Sequence, residues 1–133
     1  MESLPDWPDG TVAVLATAGE APHAIPVSLV VRAGPRTLLL GLAPGRRSLA
    51  RLREDPRCTV TLLAAGDVAI TVHGHAAAFD EAGAVVAVRV EAEDIVDHNR
   101  PTYEIRGGVD WAWTDVEAER RDAAARAALR RLR

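Results

Sequence analysis

The sequence predicts a mainly β protein: an antiparallel barrel or sandwich of six or seven strands, with one short helix and a C-terminal helix. Three observations carry this expectation. From Thr11 to about Asp97, short apolar segments follow one another across tight turns. No helical pattern alternates with them, which argues against a parallel sheet and its crossover helices. So many apolar strands would leave adhesive edges in an open sheet, and closure removes those edges. At 133 residues the chain reads as one domain spanning 1–133, long enough to bury a real core.

The elements follow in order. "TVAVLAT" (Thr11–Thr17) is apolar on both faces, the expectation for a strand covered on each side. "AGEAP" turns into "HAIPVSLVV" (His23–Val31), which sets Ile25, Val27, Leu29 and Val31 on one face and Pro26 and Ser28 on the other. Pro26 cannot donate to a ladder, so this strand lies at an edge or is interrupted there. "RAGPR" makes a hairpin into "TLLLGL" (Thr37–Leu42). In "APGRRSLARLREDP", Gly45 and Ser48 are candidate N-caps, Leu49 and Leu52 make an apolar contact one turn apart, and Pro56 stops the helix.

"CTVTLLA" (Cys58–Ala64) and "VAITVHGHAAAF" (Val68–Phe79) resume the alternation. "AVVAVRVEAEDIV" (Ala84–Val96) carries alanine and glutamate that also suit a helix, but Val86, Val88 and Val90 recur on a period of two and favour a strand. "TYEIRGG" and "VDWAWTD" read as an irregular crossing segment with room for a short strand. Thr114 with Glu117 forms a capping-box pattern with Trp113 as staple, opening a helix over about 115–132 with acids early and arginines late.

Composition narrows the function. A net charge of −3 carries no global basic field for nucleic acid or an anionic membrane. The single Cys58 excludes an internal disulfide and fits a reducing cytoplasm. "MESLPDWPDG" has neither the basic nor the apolar region of a signal peptide, and no apolar run approaches the roughly 20 residues of a membrane helix. The expectation is a cytoplasmic protein with no nucleic-acid or membrane partner. All 16 positive side chains are arginine, as GC-rich codons favour, so an arginine cluster is informative by position rather than by number.

Arg46, Arg47, Arg51 and Arg53 crowd the start of the short helix, where the partial positive charge of the unpaired N–H groups disfavours cations. Two readings fit Arg46, Arg47 and Ser48. One is a phosphate cradle of helix N–H groups, the Ser48 hydroxyl and guanidinium forks. The other is a solvated face paired with Glu54, Asp55 or Glu20, with Ser48 a plain N-cap. Arg51 and Arg53 read as solvated in either case.

His73 and His75 share a strand face but lack a persuasive third ligand, so no metal site is expected. Trp111 and Trp113 share a face if extended, and suit a ring-stacking wall or an interface as well as core packing under the final helix. No Ser–His–Asp arrangement, Walker loop or G-x-G-x-x-G is present, and "RGGVD" lacks the context of a phosphate loop.

From Thr11 to about Asp80 the order of these motifs resembles the pyridoxamine 5′-phosphate oxidase-like split β-barrel proteins. Those proteins run strand, "G-x-P-h-x-x-P-V" strand, turn, strand, a basic–Ser/Lys helix ending in (D/N)-P, then two strands. The resemblance implies a homodimer binding FMN, or the deazaflavin coenzyme F-420, at the subunit interface, and an oxidoreductase passing hydride through it. It implies a phosphate site at Arg46, Arg47 and Ser48, with Arg47 standing where many relatives have lysine. It places His23, Pro26 and Ser28 on the strand that lines the flavin ring, although His23 by itself reads better as part of a half-buried edge strand. Trp111 is the candidate stacking ring. The substrate does not follow from the resemblance. The competing class is a non-enzymatic split barrel: a flavin carrier, a binder of haem or another planar ligand, or a ligand-free dimer.

Overall fold

The computed structural model describes residues 1–133. Its elements are β1 (Ala13–Thr17), β2 (His23–Val27), β3 (Val30–Gly34), β4 (Thr37–Leu42), α1 (Arg47–Glu54), β5 (Arg57–Ala64), β6 (Val68–Ala82), β7 (Val85–Asp97) and α2 (Val116–Arg130). The seven strands form one antiparallel sheet in the order β2-β1-β5-β6-β7-β4-β3.

The first and last strands of that order, β2 and β3, are separated in the chain by only Ser28 and Leu29. Three peptide steps span no more than about 11 Å. The opposite edges of the sheet therefore meet, and the sheet is a barrel, split where β2 and β3 part. Near the split the indole N–H of Trp7 donates to the Val30 carbonyl at 3.0 Å, and the Gly41 N–H donates to the Leu29 carbonyl at 2.9 Å. Register shifts at His73/Gly74 and Ala76/Ala78 between β6 and β7 bend the longest hairpin, as bulges do.

Two apolar cores result. Leu15, Leu38, Leu40, Val60, Leu62, Val72, Val88 and Val90 share the larger, to which α1 contributes Leu49 and Leu52. Leu29, Val31, Leu39 and Ala87 pack with Ala125, Ala128 and Leu129 of α2 in the smaller. The run Leu38–Leu39–Leu40 is fully buried because alternate side chains enter alternate cores.

Several expectations need correction. His23–Val31 is two strands. Its alternation runs unbroken in sequence, but Val27 and Val30 enter the larger core while Leu29 and Val31 enter the smaller, so the chain changes phase at Ser28–Leu29. β1 is covered on one side only. Ala13, Leu15 and Thr17 are buried, but Val14 is 44% exposed, because α2 lies over β3 and β4 instead.

The N-cap of α1 is Arg46, without a side-chain cap, rather than Gly45 or Ser48. The N-cap of α2 is Asp115, whose carboxylate accepts from the Glu117 and Ala118 N–H groups, so Thr114 does not make the capping box. The expected crossing segment is irregular throughout and holds no strand.

The outward face of β2, β1 and β5 is largely free of charge. Across the registered pairs it presents Ala24 and Pro26, then Val14 and Ala16, then Thr59, Thr61 and Leu63. No charge interrupts it until Arg57 at its margin.

Candidate functional site

The start of α1 is open to an anion. Arg46 is extended (φ −68, ψ 136), no acidic residue occupies the first turn, and the N–H groups of Arg47 and Ser48 have no acceptor within the chain. The Arg46 and Arg47 side chains are exposed and engage no carboxylate. Ser48 is 1% exposed, and its hydroxyl meets His23 Nε2 at 3.0 Å, tying the first residue of β2 to α1. The Ser48 N–H is free for an incoming anion, and its hydroxyl proton is free as well when His23 Nε2 donates rather than accepts.

Arg51 is engaged, which corrects the solvated-face reading for that residue, whereas Arg53 is on the exposed face as expected. Arg51 donates to Thr17 Oγ1 at 2.8 Å and to the Ala18 and Ala21 carbonyls, holding the β1–β2 turn against α1. Arg53 lies over the Phe79 ring at 5.1 Å. Arg57 clasps Asp55 at 2.6 Å, and these hydrogen bonds pull the Asp55 carboxyl down to about 2. The pairing of Arg46 or Arg47 with Asp55, Glu54 or Glu20 is not made. In "GRRSLARLREDPR", Arg46 and Arg47 alone are unengaged.

From His23 the strand leads away along exposed Pro26 to half-buried Ser28, five residues and about 16 Å further on. The Ser28 carbonyl accepts from Arg126 Nη2 at 3.1 Å. Arg126 also lines a cleft of about 400 Å³ that contains Trp111 and Trp113, but none of His23, Pro26, Arg46, Arg47 or Ser48. The structure thus gathers His23 and Ser48, with Arg46 and Arg47 beside them, at one end of β2. Ser28 is at the other end, reaching the Trp111 cleft through Arg126.

Arg126 is a residue that sequence reasoning missed. It is 7% exposed on α2, where Asp122 lies one turn earlier at 3.5 Å. An Asp–Arg pair at i, i+4 within an alanine-rich helix was the available signal.

Trp111 is pinned by its indole N–H, which donates to the Gly10 carbonyl at 2.8 Å. Gly10 has φ +84, and a Cβ there would sit 3.4 Å from the indole. Trp113 stands edge-on to Trp111, centroids 5.1 Å apart and planes at 81°. Earlier in the crossing segment the Ile105 N–H donates to the Asp67 carboxylate at 2.7 Å, which ties the segment to the β5–β6 turn.

A second cleft, of about 590 Å³, lies between the β1–β2 turn and Arg57, Cys58, Thr59, His73 and Glu93. Burial pushes the Cys58 thiol up to about 11 from its ordinary 9.0, and the Glu93 charge adds to this. The unfolded thiol ionises first, so this group costs stability as pH rises past 9.0 toward 11. We expect no alkylation of native Cys58 by iodoacetamide at neutral pH over hours, and rapid alkylation in denaturant, read by mass spectrometry. His75 Nδ1 meets Glu93 at 2.8 Å, while His73 is exposed in the cleft.

No protein-family model and no curated protein matches the sequence. Solved structures do match. BorF, the flavin reductase component of a bacterial two-component tryptophan halogenase, shares 15% identity with a TM-score of 0.60, over 68% of this chain and 81% of its own. The Streptomyces globisporus C-1027 NADH:FAD oxidoreductase SgcE6 shares 14% identity with a TM-score of 0.61, over 80% and 87%. A Listeria innocua protein assigned as a pyridoxamine 5′-phosphate oxidase shares 18% identity with a TM-score of 0.57, over 68% and 90%. The chain has the split-barrel fold of these proteins.

Proposed function

We propose that this chain is a flavin-binding oxidoreductase that works as a homodimer. The carrying observation is the open start of α1. Two free N–H groups and the unengaged Arg46 and Arg47 form a cationic, donor-rich end in a barrel whose solved counterparts include flavin reductases. These residues fit a phosphate: guanidinium forks and helix N–H groups are the donors that phosphate oxygens take. FMN is the first candidate, with FAD and coenzyme F-420 as alternatives.

When bound, the flavin would supply the hydride chemistry, and the chain would supply position. Arg46, Arg47 and the Ser48 N–H would hold the phosphate. His23 would brace Ser48 through the 3.0 Å contact. Pro26 on β2 and Ser28 just past its end would line the ring. SgcE6 is an NADH:FAD oxidoreductase, so a reduced nicotinamide is the first hydride donor to try.

The uncharged outward face of β2, β1 and β5 is the surface for the second copy, whose docking would dehydrate the flavin ring on β2. Val14→Asp should drive dimer to monomer in sedimentation velocity while leaving secondary structure intact, because a carboxylate at the centre of a desolvated face goes unpaired. A monomeric wild type, or a Val14→Asp dimer, overturns this placement.

The function is tested by titrating purified protein with FMN, FAD and coenzyme F-420, then following oxidation of NADH or NADPH with the flavin that binds. Binding at micromolar concentration with flavin-dependent oxidation supports the reading. No binding of any of the three at about 100 µM rejects it.

A further inference from the structure

We propose that the cleft at Trp111 and Trp113 is a second binding site, selective for a planar organic cation of the N-alkylated heteroaromatic class. Trp111 and Trp113 are 36% and 39% exposed, and their planes meet at 81°, so a ligand in the cleft finds two indole walls in a corner. The walls are set in advance. Trp111 is held by the Gly10 carbonyl, and Gly108 packs so closely on the Leu63 carbonyl that a Cβ there would come within 2.4 Å of it. Indole faces attract cations, most strongly where water is displaced.

Charge points the same way. Asp9, Asp110 and Asp122 line the cleft against one guanidinium, that of Arg126. Arg130 pairs with Asp9 and Arg133 acts on it from outside the lining, and Arg126 meets Asp122, so Asp110 is the lining carboxylate without a cationic partner. Arg130 and Arg126 hold the Asp9 carboxyl below its usual range, so it stays ionised. Arg126 Nη1, buried without a hydrogen-bond partner, lies 3.9 Å from Asp9, while the exposed Asp110 carboxylate is unpaired and would attract a cation that a neutral ring could not match. The volume of about 400 Å³ suits a compact ring system.

The inference goes beyond the flavin reading and stands on different residues. His23, Arg46, Arg47 and Ser48 take no part in this cleft.

Isothermal titration calorimetry of the whole protein, without flavin, compares 1-methylnicotinamide with nicotinamide, the same ring without the charge. The cation should bind about tenfold tighter or better, and added salt should weaken it. Trp113→Ala should weaken the cation at least about fivefold with only a small fall in the thermal midpoint, since Trp113 packs on Trp111 but holds no hydrogen bond of the fold. Should Trp113→Ala fold poorly, Asp110→Asn gives the same test on an exposed residue, with a smaller loss expected. Equal binding of the two probes, no binding of the cation, or unchanged affinity in a folded variant overturns the proposal. Because flavin is absent from the titration, a chain that fails to bind FMN still gives a clear result.

Discussion

Gly74→Ala is expected to destabilise this protein by about 3 kcal/mol or more, among the largest effects of any single substitution. Gly74 sits on β6 between Cys58 of β5 and Ala92 of β7. A Cβ placed there would come within 2.1 Å of the Glu91 carbonyl oxygen and 3.0 Å of its carbon. Both are backbone atoms of a paired strand, so relief requires β7 to shift rather than a side chain to rotate. The register slips by one residue beside this glycine, leaving Glu93 out of the ladder and in contact with His75. The missing Cβ is what lets the strands approach at the bulge. Urea unfolding of wild type and variant gives the comparison. A loss below about 1 kcal/mol would mean that β7 can yield, and that the bulge is not held by this contact.

The second large effect concerns binding. The double variant Arg46→Ala/Arg47→Ala should lose about 2–3 kcal/mol of FMN affinity, roughly 30- to 150-fold in Kd. Charge-assisted bonds to phosphate are the strong kind, and exposure of both side chains sets the lower part of their range. Arg53→Ala is the control. It removes one guanidinium, from the far end of α1, but that guanidinium lies on Phe79, so the change in Kd should stay below about threefold.

Stability should move the other way. Two cations at a helix N-terminus oppose its partial charge, and no acid there offsets them, so the double variant should unfold at a slightly higher temperature. A double variant that binds FMN like wild type removes the phosphate site from α1. A fall in both affinity and thermal midpoint would reassign the two arginines to structure.

Much of the fold was legible because the signals for it are local. Val86, Val88 and Val90 repeat on a period of two, and the segment is β7 despite its alanines and glutamates. Pro26 pointed to an edge or a break, and β2 is both the first strand of the order and one that ends at Val27, a residue later. Where local signals misled, another group competed, once from far along the chain and once from the next residue. Ser48 has the chemistry of an N-cap, but His23, 25 residues earlier, claims its hydroxyl. Thr114 matched a capping pattern, and Asp115, one residue on, offered a carboxylate in reach of the same N–H groups.

Local sequence was enough for the mainly β pattern, for both helices and for the chemistry available in "GRRSLARLREDPR", but not for the break between β2 and β3. Tertiary structure decided which of those arginines remain free. Arg51 is taken by Thr17, Ala18 and Ala21, and Arg53 by Phe79, groups that are near only because the barrel closes. Closure also separated Trp111 from the α1 end while linking its cleft to Ser28 through Arg126. Periodicity is read from neighbours along the chain. A guanidinium is occupied or free according to which acceptors come within about 3 Å of it, and in a sheet whose first and last strands are consecutive, those acceptors are set by closure.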